Sequence, residues 1–135
     1  MNPVVHFEIP YENPERMAKF YQSAFGWQTQ MMGEEMGNYV LATTVESDEN
    51  GSKKMGCING GFYNKKLPDS NAHPSFVIAV DDIDESIKRI TNTGGKILGE
   101  PVDIPGVGKA AWFVDTEGNR LSVLQPLPRM SVRPK

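Results

Sequence analysis

The chain has 135 residues, 39% of them hydrophobic and 23% charged, which suits one compact domain with a real core and excludes a disordered or fibrous protein. Its formal net charge of −3, from 14 Lys and Arg against 17 Asp and Glu, argues against nucleic acid as a partner, because neutralising phosphates takes clustered cations. No run approaches the roughly 18 apolar residues of a membrane span, and the start of the chain does not resemble a signal peptide, so no membrane partner is expected.

The first predicted strand, Val4 to Ile9, alternates: Val5, Phe7 and Ile9 face one side, Val4, His6 and Glu8 the other. Asn13-Pro14-Glu15 is a helix start, with Asn13 as N-cap and Pro14 at the first helical position. Met17, Phe20, Tyr21, Ala24 and Phe25 follow helical spacing and predict a buried stripe, which Gly26 terminates. Strands are expected at 27–31 and 38–44, then an exposed polar loop over 46–54. A further strand spans 56–63, where the pair Gly60-Gly61 removes side chains because the sheet curves or something comes close.

Past a loop at 65–71, a strand at 75–80 leads to Asp82-Ile83-Asp84-Glu85, a capping-box pattern opening a helix with Ile83, Ile87 and Ile90 on one face. Gly94-Gly95 ends that helix. Strands follow at 96–98, 110–114 and 120–124, the last two joined by the hairpin signal Asp115-Thr116-Glu117-Gly118-Asn119. The tail over 126–135 carries prolines and cations without periodicity and reads as flexible. The single cysteine, Cys57, cannot close an internal disulfide; it fits a reducing cytoplasm and reads as a small buried hydrophobe.

These elements repeat. At an offset of 69 residues, His6-Phe7-Glu8-Ile9-Pro10 falls on Ser75-Phe76-Val77-Ile78-Ala79, Asn13 on Asp82 and Gly26 on Gly95. A βαβββ unit is therefore written twice, as module one over about 3–64 and module two over about 72–125, within one domain spanning 1–135.

The stretch from Val4 to Gln125 resembles the vicinal oxygen chelate superfamily of glyoxalase I, extradiol dioxygenases and bleomycin-resistance proteins. The resemblance rests on Val5-His6-Phe7-Glu8-Ile9, Phe20-Tyr21-Gln22-Ser23-Ala24-Phe25-Gly26-Trp27, Val80-Asp81-Asp82-Ile83-Asp84 and Asp115-Thr116-Glu117-Gly118-Asn119. Ile58-Asn59-Gly60-Gly61 and Ile104-Pro105-Gly106-Val107-Gly108 are similar to a subgroup of predicted enzymes related to lactoylglutathione lyase. This implies an α+β fold of paired βαβββ modules, a cup-shaped mixed sheet with helices outside, a homodimer and a cavity for a small organic molecule. In metal-dependent members, ligands come from the first and last strands of each module.

Of those ligand positions only His6 carries a ligating side chain. Its counterpart is Ser75, the last strand of module one has no Asp or Glu, and Ser122 stands at the glutamate position of module two. Neutral hydroxyls are poor ligands for a divalent ion. The expectation is therefore a glyoxalase-like small-molecule-binding protein with a degenerate metal site and no cofactor. The alternative is a metal-dependent lyase or dioxygenase in which His6 ligates with Glu8 or His73. In a metal-free enzyme, His6 or Glu8 would do the acid–base work of catalysis. Strand parity gives the expected pocket as His6, Glu8, Ser75, Val77 and Ser122, with Asn59, Tyr63 and Trp112 as neighbours. Aromatics are more often core than ligand platforms, so Trp112 and Phe62 also read as core. Neither Gly60-Gly61 nor Gly106-Val107-Gly108 has the spacing of a nucleotide-binding loop.

Overall fold

A computed structural model describes residues 1–48, 51–67 and 72–128. Residues 129–135 of the expected tail lie outside the described residues, as do 49–50 and 68–71 of the two expected loops. The fold is α+β, with eight strands of mixed sheet, two α-helices and a two-stranded ribbon. The chain divides into two compact units, one of residues 6–75 and one of residues 1–5 with 76–135. Among the described residues no helix is long and apolar enough to cross a membrane.

The first unit carries β1 (Val4–Tyr11), whose first two residues belong to the second unit, then α1 (Pro14–Phe25), β2 (Gln28–Met31) and a 3-10 turn at Glu34–Met36. β3 (Val40–Thr43), the ribbon β4 (Ser47–Asp48) and β5 (Gly51–Ser52), and β6 (Gly60–Asn64) follow. Its strand order is β2-β3-β6-β1, with β6 parallel to β1 and antiparallel to β3. Asn13 caps α1 as its sequence requires, its Oδ1 accepting from the Arg16 N–H at 3.0 Å, and Gly26 closes the helix in the left-handed region at φ 75°.

The core of this unit is Tyr11, Val40, Ala42 and Phe62, joined by Phe7, Ile9, Met17, Tyr21 and Trp27. Here the expected helix stripe needs correction. Met17 and Tyr21 pack inward and Ala18 is buried, but Ala24 is exposed and Phe20 and Phe25 stand 57% and 64% exposed. The two outer aromatics lie against Tyr21 and each other, Phe20 edge-on to both rings. The strand expected from 56 begins at Gly60, since residues up to Cys57 make a turn in which the Cys57 N–H donates to the Lys54 carbonyl at 3.2 Å. Cys57 is half-buried rather than buried.

The second unit contains β7 (Ser75–Ala79), whose first residue belongs to the first unit, α2 (Ile83–Asn92), β8 (Lys96–Ile104), β9 (Gly108–Val114) and β10 (Arg120–Pro126), in the order β7-β10-β9-β8. Asp82 Oδ1 accepts from the N–H groups of Asp84 and Glu85, while Gln125 Oε1 takes the Ile83 N–H at 2.9 Å. Ile83, 1% exposed, packs with Val80, Ala111, Phe113 and Val123. Ile87 and Ile90 lie against the same cluster, as the helical spacing predicts. β8 runs well past Leu98. A register shift between Leu98 and Val102, with Gly99 at φ 74°, lets a strand of weak apolar pattern stay paired with β9.

The offset of 69 holds from β1 and β7 to the helix starts Pro14 and Ile83. It breaks at the last strand of each module. Glu8 pairs with Gly61 and its counterpart Val77 pairs with Ser122, an offset of 61. The ribbon β4–β5 lies in the longer connection of the first unit.

Candidate functional site

The alternation of β1 sends Phe7 and Ile9 into the first unit's core and leaves His6 and Glu8 on the opposite face of the sheet. β3 does the same with Val40 and Ala42 buried, so Leu41 and, one step earlier, Tyr39 share the face of His6 and Glu8. Register ties the strands together: Leu41 pairs with Gly61, and Gly61 with Glu8. At Gly61 the sheet offers no side chain, and the Tyr39 ring fills that space. A Cβ on Gly61 would collide with Tyr39 Oη, Cζ and Cε2.

Three local features hold Tyr39 there. The Tyr11 hydroxyl donates to the Asn38 carbonyl at 2.7 Å, Asn38 turns the chain through φ 58°, and the Met32 N–H donates to the Tyr39 carbonyl at 2.8 Å. From this position the Tyr39 hydroxyl donates to Glu8 Oε2 at 2.8 Å and lies 2.8 Å from His6 Nε2. The phenol has one proton. With that proton on the carboxylate, the bond to His6 requires Nε2–H as donor, so the neutral imidazole presents Nδ1 as an acceptor. All three side chains are half-buried.

Desolvation governs their ionisation. Burial pushes the His6 imidazole below its ordinary value and Glu8 above its own, the latter opposed by the hydrogen bond from Tyr39. Burial, then the neighbouring Glu8 charge and the same hydrogen bond, push Tyr39 far up, so the phenol keeps its proton. The arrangement is a linear chain from His6 through Tyr39 to Glu8, able to accept or pass a proton without creating a buried tyrosinate.

The donor set does not fit a divalent cation. Among the described residues no group of three or more His, Cys, Asp or Glu side chains converges. His6 Nε2 and Glu8 Oε2 are both engaged by the phenol, Gly61 supplies no ligand, and its β3 partner Leu41 is apolar. Zinc sites, structural or catalytic, take three or four such ligands.

The remaining residues singled out in the sequence are described within their own units. Asn59 Oδ1 accepts from the N–H groups of Thr44 and Val45 at 2.7 and 3.0 Å, and its amide donates to Ser47 Oγ, so it fastens the segment leaving β3. The Tyr63 hydroxyl donates to the carbonyl of His73, an exposed residue ahead of β7. Ser75, half-buried, opens β7. Ser122 and Trp112 belong to the second unit, where they pair across β10 and β9; Ser122 is 4% exposed and Trp112 half-buried. Phe62, 0% exposed, is core, the role favoured for it by composition.

Sequence reasoning joined His6 to Glu8 and missed Tyr39. The signal for it was Gly61, one of the two glycines where a close approach was expected, read together with the parity of β3.

Comparisons with known proteins agree with this fold. The chain is 33% identical over 119 residues to a glyoxylase-like domain-containing protein of Didymella fabae, covering 83% of this chain and 84% of that one. It is 27% identical over 125 residues to the anthracycline biosynthesis protein DnrV of Streptomyces peucetius, covering 87% of this chain but 44% of that one, so it spans about half of that relative. Among solved structures, Streptomyces coelicolor methylmalonyl-CoA epimerase in complex with 2-nitronate-propionyl-CoA superposes with a TM-score of 0.70 at 16% identity, covering 97% of this chain and 99% of that one. At that identity the likeness concerns the fold. The family model described as Glyoxalase/Bleomycin resistance protein/Dioxygenase superfamily matches residues 4–123, and with nearly the whole chain accounted for, the protein belongs to that superfamily.

Proposed function

We propose that the protein is a metal-independent member of its superfamily that binds a small organic molecule on the sheet face bearing His6, Tyr39 and Glu8. The observation that carries this reading is the position of the Tyr39 hydroxyl, which takes up one atom each from the two side chains best suited to ligate an ion. The nearby sheet face is mixed in character: Leu41 is exposed and apolar, and the Tyr63 ring is half-buried. Small-molecule sites combine apolar surface with a few fixed polar groups in this way. The structural relative's complex with 2-nitronate-propionyl-CoA and the link of a sequence relative to anthracycline biosynthesis are consistent with a small organic ligand. The reading carries with it a single-domain homodimer of the cytoplasm, for which sedimentation of the purified chain tests the assembly.

The test is metal analysis of protein purified without chelator, combined with thermal shift against hemithioacetals, catechols and CoA thioesters. A ligand that binds the folded state raises the melting temperature. The expected result is a rise with at least one class, from protein holding far less than one ion per chain, and loss of that rise in His6→Ala. One tightly held divalent ion per chain, released by His6→Ala, would contradict the proposal.

A further inference from the structure

The hydrogen-bond chain has a direction, and the direction dictates what a ligand must offer. With Glu8 ionised, Tyr39 donates to Glu8 Oε2 and His6 donates through Nε2, so the atoms left over are His6 Nδ1 and Glu8 Oε1. Both are acceptors. Among the described residues neither has a protein partner; their side chains are half-buried, and the phenol between them is fixed over Gly61. A ligand carbonyl or carboxylate would meet only lone pairs at these two atoms, whereas a hydroxyl finds a partner.

We propose that this face binds its ligand through an acidic hydroxyl, a phenol or enol, and takes the proton from it through the His6–Tyr39–Glu8 chain. The inference rests on the metal-free reading above and assigns the ligand class to that site. In the transfer, the ligand O–H bond breaks and its proton joins His6 Nδ1. The Nε2 proton of His6 passes to Tyr39 Oη, and the former Tyr39 proton passes to Glu8 Oε2. The ligand becomes an oxyanion and Glu8 a neutral acid, while His6 ends as the other neutral tautomer and Tyr39 is unchanged. One negative charge has moved from Glu8 to the ligand, with no imidazolium and no tyrosinate at the end. That outcome suits a desolvated site, where burial disfavours both the charged imidazole and the charged carboxylate. Tyr39 acts here as a relay, with its geometry set by Asn38 and Gly61.

The probe is 4-nitrophenol, whose phenolate has its own visible absorption, added to the full chain after treatment with chelator at a pH below the free phenol's ionisation. The expected result is saturable binding with a phenolate band on the bound fraction. Tyr39→Phe keeps the ring over Gly61 and removes the bridge, so it should lower the ionised bound fraction roughly tenfold, as loss of one hydrogen bond to a charged group implies. Glu8→Gln, which removes the final proton acceptor while keeping its shape, should do the same, and near-UV circular dichroism verifies that both variants fold. Binding of the phenol in its neutral form overturns the relay and leaves the small-molecule reading standing. Failure to bind overturns the ligand class. A phenolate band that requires added divalent metal and vanishes with chelator overturns the relay and the metal-free reading together.

Discussion

Tyr39 stands over Gly61 in the volume where any other residue would place its Cβ. Gly61→Ala should therefore push the ring away from Glu8 and His6 and destabilise the protein by about 1–3 kcal/mol, the usual range for overpacking a filled site. A double-mutant cycle in urea tests the origin of the cost. With Tyr39→Ala already in place, the added methyl group should cost less than about 0.5 kcal/mol; an unchanged penalty would mean that the strain lies in the backbone of β6.

The ionisation of His6 and Glu8 makes two opposed contributions to stability. Glu8 is raised above its ordinary 4.5 by burial, so above that pH the folded state holds a proton that the unfolded state has released. Its contribution to stability is lost as pH rises through the folded value. His6 is lowered below 6.5 by burial, so the unfolded state binds the extra proton and stability is lost as pH falls below 6.5. In His6→Gln the contribution of Glu8 remains, and stability should decline as pH climbs from 4.5. In Glu8→Gln the contribution of His6 remains, and stability should increase up to 6.5. Urea midpoints across pH 4 to 8 measure both slopes, and matching signs in the two variants would contradict this assignment.

Asn59 fastens the chain leaving β3 with three side-chain hydrogen bonds. Asn59→Ala strands two backbone donors and should cost about 1–3 kcal/mol. Asn59→Asp retains the Oδ1 acceptor and loses only the bond to Ser47, so it should cost less than half as much. Equal losses in chemical denaturation would place the role of Asn59 outside these bonds.

The two helix caps are repeats of one another and should behave alike. Asn13→Ala and Asp82→Ala each remove an N-cap acceptor, at about 1 kcal/mol by thermal unfolding. Gln125→Ala should add a comparable loss, because its side chain takes the Ile83 N–H that Asp82 does not reach.

Most of the architecture was legible because its signals are local. The caps at Asn13 and Asp82, the isoleucines of α2 and the alternation of β1 follow from neighbours within one turn or two strand residues. The offset of 69 carried the first module's pattern onto the second. Expectations failed where local pattern met long-range geometry. The spacing of Phe20 and Phe25 satisfies a helical stripe, but how much of that stripe is covered depends on what packs against the helix, and both rings stay exposed. β8 extends beyond Leu98 because β9 holds it through a bulge, although Gly99, Glu100 and Pro101 give no strand pattern. The site divides in the same way. His6 and Glu8 share a strand face and can be paired on paper. Tyr39 joins them from 33 and 31 residues away, and its only local trace is the glycine that makes room for it.

The most direct test of the central claim is a nitrogen-15 NMR titration of the His6 imidazole in chelator-treated protein with zinc, nickel, manganese and ferrous iron. If Tyr39 holds Nε2 in a hydrogen bond, the resting spectrum shows Nε2 protonated and Nδ1 bare, and one equivalent of metal leaves the Nε2 signal in place. Loss of the Nε2 proton at one equivalent of ion, with a matching change at Glu8, would show that the phenol yields to a cation and would contradict the account.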